Sequence, residues 1–409
     1  MTDSNEFPGS THVEGGVVAP LGFSASGVAA GLKSRGKRDL ALIATSHTVP
    51  AAAVFTTNLV AAAPVVVSRR HIVGGKARAV IINSGNANAC TGAQGELDAL
   101  TMAAAAGRAL DCRPEHVIVS STGVIGVPLP VDRIVAAIPA AVAQLDHGDA
   151  RHAAEAIMTT DTFSKETAVT LEVYGRTYKV GGMAKGSGMI APNMATMLAV
   201  ITTDAPLTSE ACDAALRSAV ATTFNRVTID SDMSTNDMAV LMASGEAGGD
   251  TIGIGDNAFE PVATAVHSVA ESLARMIARD GEGASKLITV TVSGAASEAD
   301  AELAAFAVAN SPLVKTAIFG RDANWGRVAM AIGKSGAHVD PRVFDITLAG
   351  VGVCRAGAAL PFDEAAALVA LAGSDVAIAV DLHVGHGAAL VWTCDLTYDY
   401  VRINGEYRS

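Results

Sequence analysis

The sequence predicts a mixed α/β protein in two halves, and three observations lead there. Short β-rich runs bounded by Gly, Pro or Asn alternate along the chain with longer Ala-rich stretches of helical spacing. Half of the 409 residues are apolar and only 17% are charged, enough apolar volume for two or three full-sized cores. Near the middle the pattern breaks at a loop, residues 185–196, and restarts in the apolar run 197–201.

In chain order, 39–45 and 77–83 are short β-rich runs and read as buried strands. Over 94–110 the apolar spacing turns helical, with Glu96 and Asp98 in the first turn and Arg108 in the last, as the helix dipole prefers. A strand at 117–121 and an Ala/Val/Ile-rich helix at 131–144 follow. Gly175 and Arg176 mark a turn between strands at 168–174 and 177–180. After the break come a strand to Thr202 and a helix that Thr208 caps. The stretch 259–279 is a long helix, 286–293 a strand and 298–309 a helix. Strands near 343–348 and 376–382 and a closing run at 388–403 complete the chain. The five-glycine stretch 245–257 is its most loop-like part.

Composition narrows the function. A net charge of −12 argues against nucleic acid and anionic membrane as partners. The run 51–67 is apolar but holds Thr56, Thr57, Asn58 and Pro64 and is too short to span a bilayer. Residues 1–16 lack the apolar core of a signal peptide. The five cysteines are scattered, with no CxxC pair, so neither a zinc knuckle nor a disulfide framework is expected. A reducing cytoplasm is the expected compartment.

The loop at 185–196 carries the chemistry. Gly186, Gly188 and Pro192 break regular structure just before Thr196, which opens the apolar run. Threonine is a weak nucleophile without a base beside it, and a threonine that begins a chain brings its own α-amine. That arrangement requires cutting the Ala195–Thr196 bond. Thr196 Oγ would attack the Ala195 carbonyl, and water would resolve the resulting ester. The breakers let the loop take the strained path this needs, and small Ala195 leaves room for the tetrahedral intermediate. The freed amine has a reference pKa of ~7.7–8.0, close to working pH, where a general base acts best.

The fourteen residues 185–198 match, without a gap, the self-cleavage segment of the ornithine acetyltransferase family of arginine biosynthesis. Further strings resemble that family at 83–89, 120–126, 159–165, 228–237, 280–286 and 320–327, so the resemblance spans about residues 15–409. It implies an α/β fold of layered sheets covered by helices, related in outline to self-cleaving aminopeptidases. It also implies an α chain (1–195) and a β chain (196–409), assembled as two of each. The activity implied is glutamate N-acetyltransferase, an acyltransferase that moves acetyl from N2-acetylornithine to L-glutamate through acetyl-Thr196. Some members also use acetyl-CoA, as a co-substrate, and no cofactor is expected.

Residue by residue, Thr122 and Gly123 map onto the family's oxyanion pair, and a glycine after a strand permits the close approach such donors need. Thr162, Lys185, Thr196, Glu282, Asn404 and Ser409 map onto substrate-contacting positions. Lys185 and Glu282 supply the cation and anion that an acetylated diamino acid calls for. Asp230, Asp232 and Asp237 resemble a metal cluster but include no histidine, and carboxylates so placed cap and brace loops more often; no metal is assigned. Two other readings stay open. One is an amidohydrolase or aminopeptidase using the same Thr196 with water as acceptor; the other is an unprocessed, non-catalytic binding protein.

Overall fold

The structure, a computed structural model, describes residues 9–146, 149–191 and 197–406, so Ala195, Thr196 and Ser409 lie outside the described residues. Nine strands form the first sheet: β1 (Ser10–Val13), β2 (Phe23–Val28), β3 (Leu40–Phe55), β4 (Lys76–Asn86), β5 (Val117–Val124), β6 (Lys165–Val173), β7 (Arg176–Lys185), β8 (Leu198–Thr203) and β9 (Met238–Ala243). Their order is β1-β6-β7-β8-β9-β3-β4-β5, with β2 also on β3.

The strand expected at 39–45 continues to Phe55, and its length organises the fold. Its first half pairs with β2 and β4, its second half with β9, and the register shifts between Ala44 and Val49. The two halves of the sheet therefore face each other. Ala41 and Ile43 from one half share a core with Ala51, Ala53 and Phe55 from the other and with helix Arg151–Ile157 between them. Successive side chains on a strand point to opposite faces. Leu40 and Leu42 accordingly pack outward on helices Gly92–Ala109 and Val131–Ala143. Ala52 and Val54 pack outward on helices Ser209–Thr222 and Phe259–Arg279. Helix, sheet, sheet and helix make the layers, in line with the mixed α/β reading and with the layered sheets that the resemblance implies.

The long helix Phe259–Arg279 has the bounds its periodicity predicts. Val262, Val266, Val269, Leu273 and Ile277 form its buried stripe. Thr208 caps the helix after it, accepting the Ala211 N–H at 3.1 Å, a contact worth about 1 kcal/mol.

A second sheet of six strands follows: β10 (Leu287–Ala295), β11 (Asp345–Leu348), β12 (Val351–Arg355), β13 (Ala358–Ala359), β14 (Asp375–Asp381) and β15 (Gly387–Cys394). Helices Glu298–Ala309, Pro312–Phe319 and Trp325–Gly333 cover one face. Along β14, exposed Asp375, Ala377 and Ala379 alternate with buried Val376, Ile378 and Val380, so the other face meets solvent there. Leu287, Trp392 and Cys394 belong to the first sheet's helical core and tie the two parts together.

Three points go beyond the sequence reading. The apolar run 51–67 divides between the end of β3 and helix Ala63–His71, because Pro64 suits a helix's first turn. The closing run 388–403 divides into β15 and helix Tyr398–Glu406. β9, fully buried on both faces, shows no alternation for a period search to find.

Candidate active site

The strands on either side of Thr196 are joined by backbone pairing. β7 and β8 are antiparallel, and Lys185 pairs with Leu198, so both ends of 186–197 meet at one end of the sheet. β8 and β9 run parallel from that end, where the Met238 N–H donates to the Met197 carbonyl at 3.0 Å. β4 and β5, also parallel, finish beside it. Between these strand ends lies a cleft of about 110 Å³, and Thr122, Gly123, Lys185, Met197, Glu282 and Asn404 all line it. Five of the mapped residues thus converge, with the residue that follows Thr196 among them.

Asn236 clamps the cleft wall, donating from Nδ2 to the Ala87 carbonyl at 2.6 Å and the Ser121 carbonyl at 2.8 Å. Ser121 Oγ donates to Asn83 Oδ1 at 2.6 Å. The family-like strings 83–89, 120–126 and 228–237 are therefore one hydrogen-bonded unit.

Thr122 and Gly123 lie inside β5, which runs to Val124 because pairing with β4 carries it past the expected end at 121. Gly123 has a φ of 132°, and a Cβ there would stand 2.4 Å from the Gly85 carbonyl carbon. Only glycine fits, and the two backbones touch.

Lys185 is buried at the cleft floor, and its ammonium donates to Thr122 Oγ1 at a long 3.5 Å. Among the described residues it forms no salt bridge. Burial lowers its pKa, while the charges of Asp161, Asp237 and Glu282 oppose that fall. A buried ammonium with so little compensation is primed for an anion.

Glu282 is buried opposite, and its Oε2 accepts from Asn404 Nδ2 at 2.7 Å. Gly188 lets it in, since a Cβ there would press to 2.4 Å of the Glu282 carboxyl. Helix Tyr398–Glu406 has no buried residue, so its docking rests on this Asn404 contact and on contacts at its base. Thr397 Oγ1 donates to the Gly283 carbonyl at 2.6 Å, and a Cβ on Gly283 would meet Tyr400 N at 2.6 Å. Removing residues 403–409 should raise the Michaelis constant for acetylornithine about tenfold, a cost near 1.4 kcal/mol for the lost Asn404 contact, while chain cleavage proceeds. Steady-state kinetics and a denaturing gel of the truncated protein check this. Unaltered constants would leave the helix a bystander.

Thr162 does not line the cleft. It is exposed, its N–H donates to Asp280 Oδ2 at 3.0 Å, and its hydroxyl donates to Asp280 Oδ1. The string 320–327 also lies away from the cleft, on a surface groove at the start of helix Trp325–Gly333.

Of the three acids, Asp230 accepts the Met189 and Ile190 N–H groups at 2.6 and 2.8 Å and so braces the loop. Asp237 is buried, and its Oδ2 has no hydrogen-bond partner among the described residues. Burial raises its pKa well above the usual carboxylate range, against the Ser234 hydroxyl, Lys185 and the Met197 N–H. No group of His, Cys, Asp or Glu among the described residues is placed to hold a metal ion. No helix among them is long and apolar enough to cross a membrane.

Two residues that sequence reasoning left without roles, Asn236 and Asp161, join these strings. Asp161 Oδ1 accepts the Gly186 N–H at 2.7 Å. Their only sequence signal was membership of family-like strings.

Comparison with known proteins identifies the family. The ArgJ family model matches residues 24–409. The arginine biosynthesis bifunctional protein ArgJ of Symbiobacterium thermophilum is 54% identical over 397 residues, 97% of this chain and 99% of that protein. Its counterpart in Caldanaerobacter subterraneus is 49% identical over 401 residues, again 97% and 99%. Among solved structures, ArgJ of Bacillus halodurans is 44% identical with a TM-score of 0.49, covering 50% of this chain and 97% of that one. Ornithine acetyltransferase of Mycobacterium tuberculosis, solved with ornithine, is 43% identical with a TM-score of 0.43, covering 46% of this chain and 100% of that one. Matched by the family model from residue 24 onward, and nearly half identical or more to relatives along almost their whole length, this chain belongs to the ArgJ family.

Proposed function

We propose that this protein moves acetyl from N2-acetylornithine to L-glutamate by double displacement, through an ester on Thr196 formed after the chain cuts its own Ala195–Thr196 bond. One observation carries the reading. A buried ammonium and a buried carboxylate, Lys185 and Glu282, share a cleft with Thr122, Gly123 and the strand that follows Thr196. Lys185 takes the substrate carboxylate, and Glu282, steadied by Asn404, takes the ornithine side-chain ammonium. Thr162 supports the site through Asp280 rather than by contact, and Ser409 contributes its hydroxyl to the substrate.

In the first half-reaction the Thr196 amine takes the hydroxyl proton and Oγ attacks the acetyl carbonyl. Thr122 Oγ1 and the Gly123 N–H donate to the oxyanion. The C–N bond then breaks, and the amine's proton goes to the departing ornithine nitrogen. In the second, the glutamate α-amine attacks the ester, and its proton returns through the amine to Thr196 Oγ. Acetyl-CoA serves as a second donor at the same threonine, in keeping with relatives named bifunctional. The working form is cytoplasmic, two α chains with two β chains, and needs no cofactor.

Double-reciprocal plots should give parallel lines, because a covalent acetyl-enzyme separates the half-reactions. Radiolabelled acetyl should be trapped on the peptide that begins at Thr196. Intersecting lines, or no trapped label, would point to direct transfer. Acetate released as fast without glutamate as with it would favour a hydrolase.

A further inference from the structure

The string 159–165 buries a charged group under the cleft floor. Asp161 Oδ1 accepts from Lys165 Nζ at 2.8 Å and from the Gly186 N–H at 2.7 Å, and Oδ2 accepts the Thr159 N–H at 2.9 Å. Lys165, its side chain wholly buried, also donates to Asp280 Oδ2 at 2.5 Å. Two carboxylates share one ammonium, which leaves one negative charge in a place water does not reach. Lys185, two bonds of chain away from that Gly186 amide, has no salt bridge of its own. Surface charge could not produce this arrangement, since burying a charge costs several kcal/mol unless it is paired.

We infer that Asp161 is a positioning residue for substrate recognition: it keeps the Lys185 ammonium charged and fixed for the carboxylate that both amino-acid substrates present. The inference rests on the reading that Lys185 takes that carboxylate. Asp161 does so in two ways. Its hydrogen bond to Gly186 fixes the backbone just after Lys185, and its charge offsets the burial that would strip the ammonium of its proton. The charged groups facing Lys185 are Asp161, Lys165, Asp237 and Glu282, with Asp280 behind Lys165 and Lys33 near Asp161. Of those that favour the ammonium, Asp161 acts most strongly. Asp161 in turn stays ionised despite its burial, because Lys185 and Lys165 together hold its carboxyl far below the usual range. Thr159 and Thr160, which line the cleft, hang from the same carboxylate through the Thr159 N–H. One buried acid thus sets both the cation and part of the wall.

The test compares Asp161→Asn with Lys185→Met in the full, self-cleaved protein, using acetylornithine and glutamate. Asparagine keeps an acceptor for the Gly186 N–H and removes the charge. In Asp161→Asn the Michaelis constant should rise about tenfold for each substrate, with kcat lowered less than about threefold. The pH profile separates positioning from a merely structural part. kcat/KM for acetylornithine reports the free enzyme and should fall on the alkaline side as Lys185 loses its proton. Without Asp161 the ammonium is less favoured, its pKa drops further, and that fall should move to lower pH.

Lys185→Met should raise both Michaelis constants. Unchanged constants there would overturn the carboxylate assignment, and the role of Asp161 with it. Raised constants there, beside unchanged constants and an unmoved alkaline limb in Asp161→Asn, would overturn the role of Asp161 alone. Should Asp161→Asn fold poorly, seen as incomplete chain cleavage, Asp161→Asn combined with Lys165→Met and Asp280→Asn removes the whole triad together and avoids stranding the Asp280 carboxylate as an unpaired buried charge. Asp161 outweighs Lys165 at Lys185, so the triple variant should move the limb the same way by less. An unmoved limb would again count against the proposal.

Discussion

Thr196→Ala should yield a single uncut chain with no acetyl transfer, because one hydroxyl serves both reactions. The uncut chain lacks the base as well as the nucleophile, since the amine at position 196 remains tied in a peptide. Loss should reach the floor of the assay, more than about 10⁴-fold, as for other catalytic units whose members act together. Thr196→Ser, which keeps a hydroxyl, should cleave slowly and retain some transfer. Intact mass spectrometry and a transfer assay on the same preparations check both. Cleavage persisting in the alanine variant would show that another residue or a protease cuts the chain.

Thr122→Ala should lower kcat by roughly 10²–10³, the usual cost of one oxyanion donor, with the Michaelis constants little changed. The geometry explains the split. Thr122 Oγ1 accepts from Lys185, which leaves its own proton free to donate into the cleft. A hydrogen bond that is already polarised by an ammonium on one side donates more strongly on the other. Thr122→Ser keeps that relay and should restore most of the rate. In the proposed mechanism Gly123 would supply the second donor from its backbone, which no side-chain substitution removes, so the two donors are separable by experiment. If Thr122→Ala raised the Michaelis constants and spared kcat, the hydroxyl would belong to ground-state binding instead.

Much of the fold was legible because it is local. The helix at 259–279 shows its apolar stripe within its own turns, and Thr208 announces a cap three residues before the N–H it binds. The segment that the proposed cleavage needs drew notice for the same reason: breakers, small Ala195 and Thr196 stand side by side in the chain. β9 escaped, since a strand buried on both faces leaves no period to read. Helix Tyr398–Glu406 escaped too, because nothing apolar marks one of its faces as buried, and polar contacts through Thr397 and Asn404 hold it.

The sequence by itself determined the kinds of elements, the segment in which to look for a nucleophile and, through resemblance, which residues to watch. Only the tertiary structure decided which of them meet. Glu282 and Asn404 are 122 positions apart, and Lys165 and Asp280 are 115 apart, yet each pair shares a hydrogen bond. Such contacts depend on how the two halves of β3 fold over and bring distant strand ends together. Thr162, mapped from sequence as a substrate contact, lies beside the cleft tied to Asp280, while Asp161, one residue before it, is buried against Gly186. Neighbours on a chain can face opposite ways. Periodicity reports a face; packing chooses what that face touches, and a charge's meaning follows from what surrounds it once water has left.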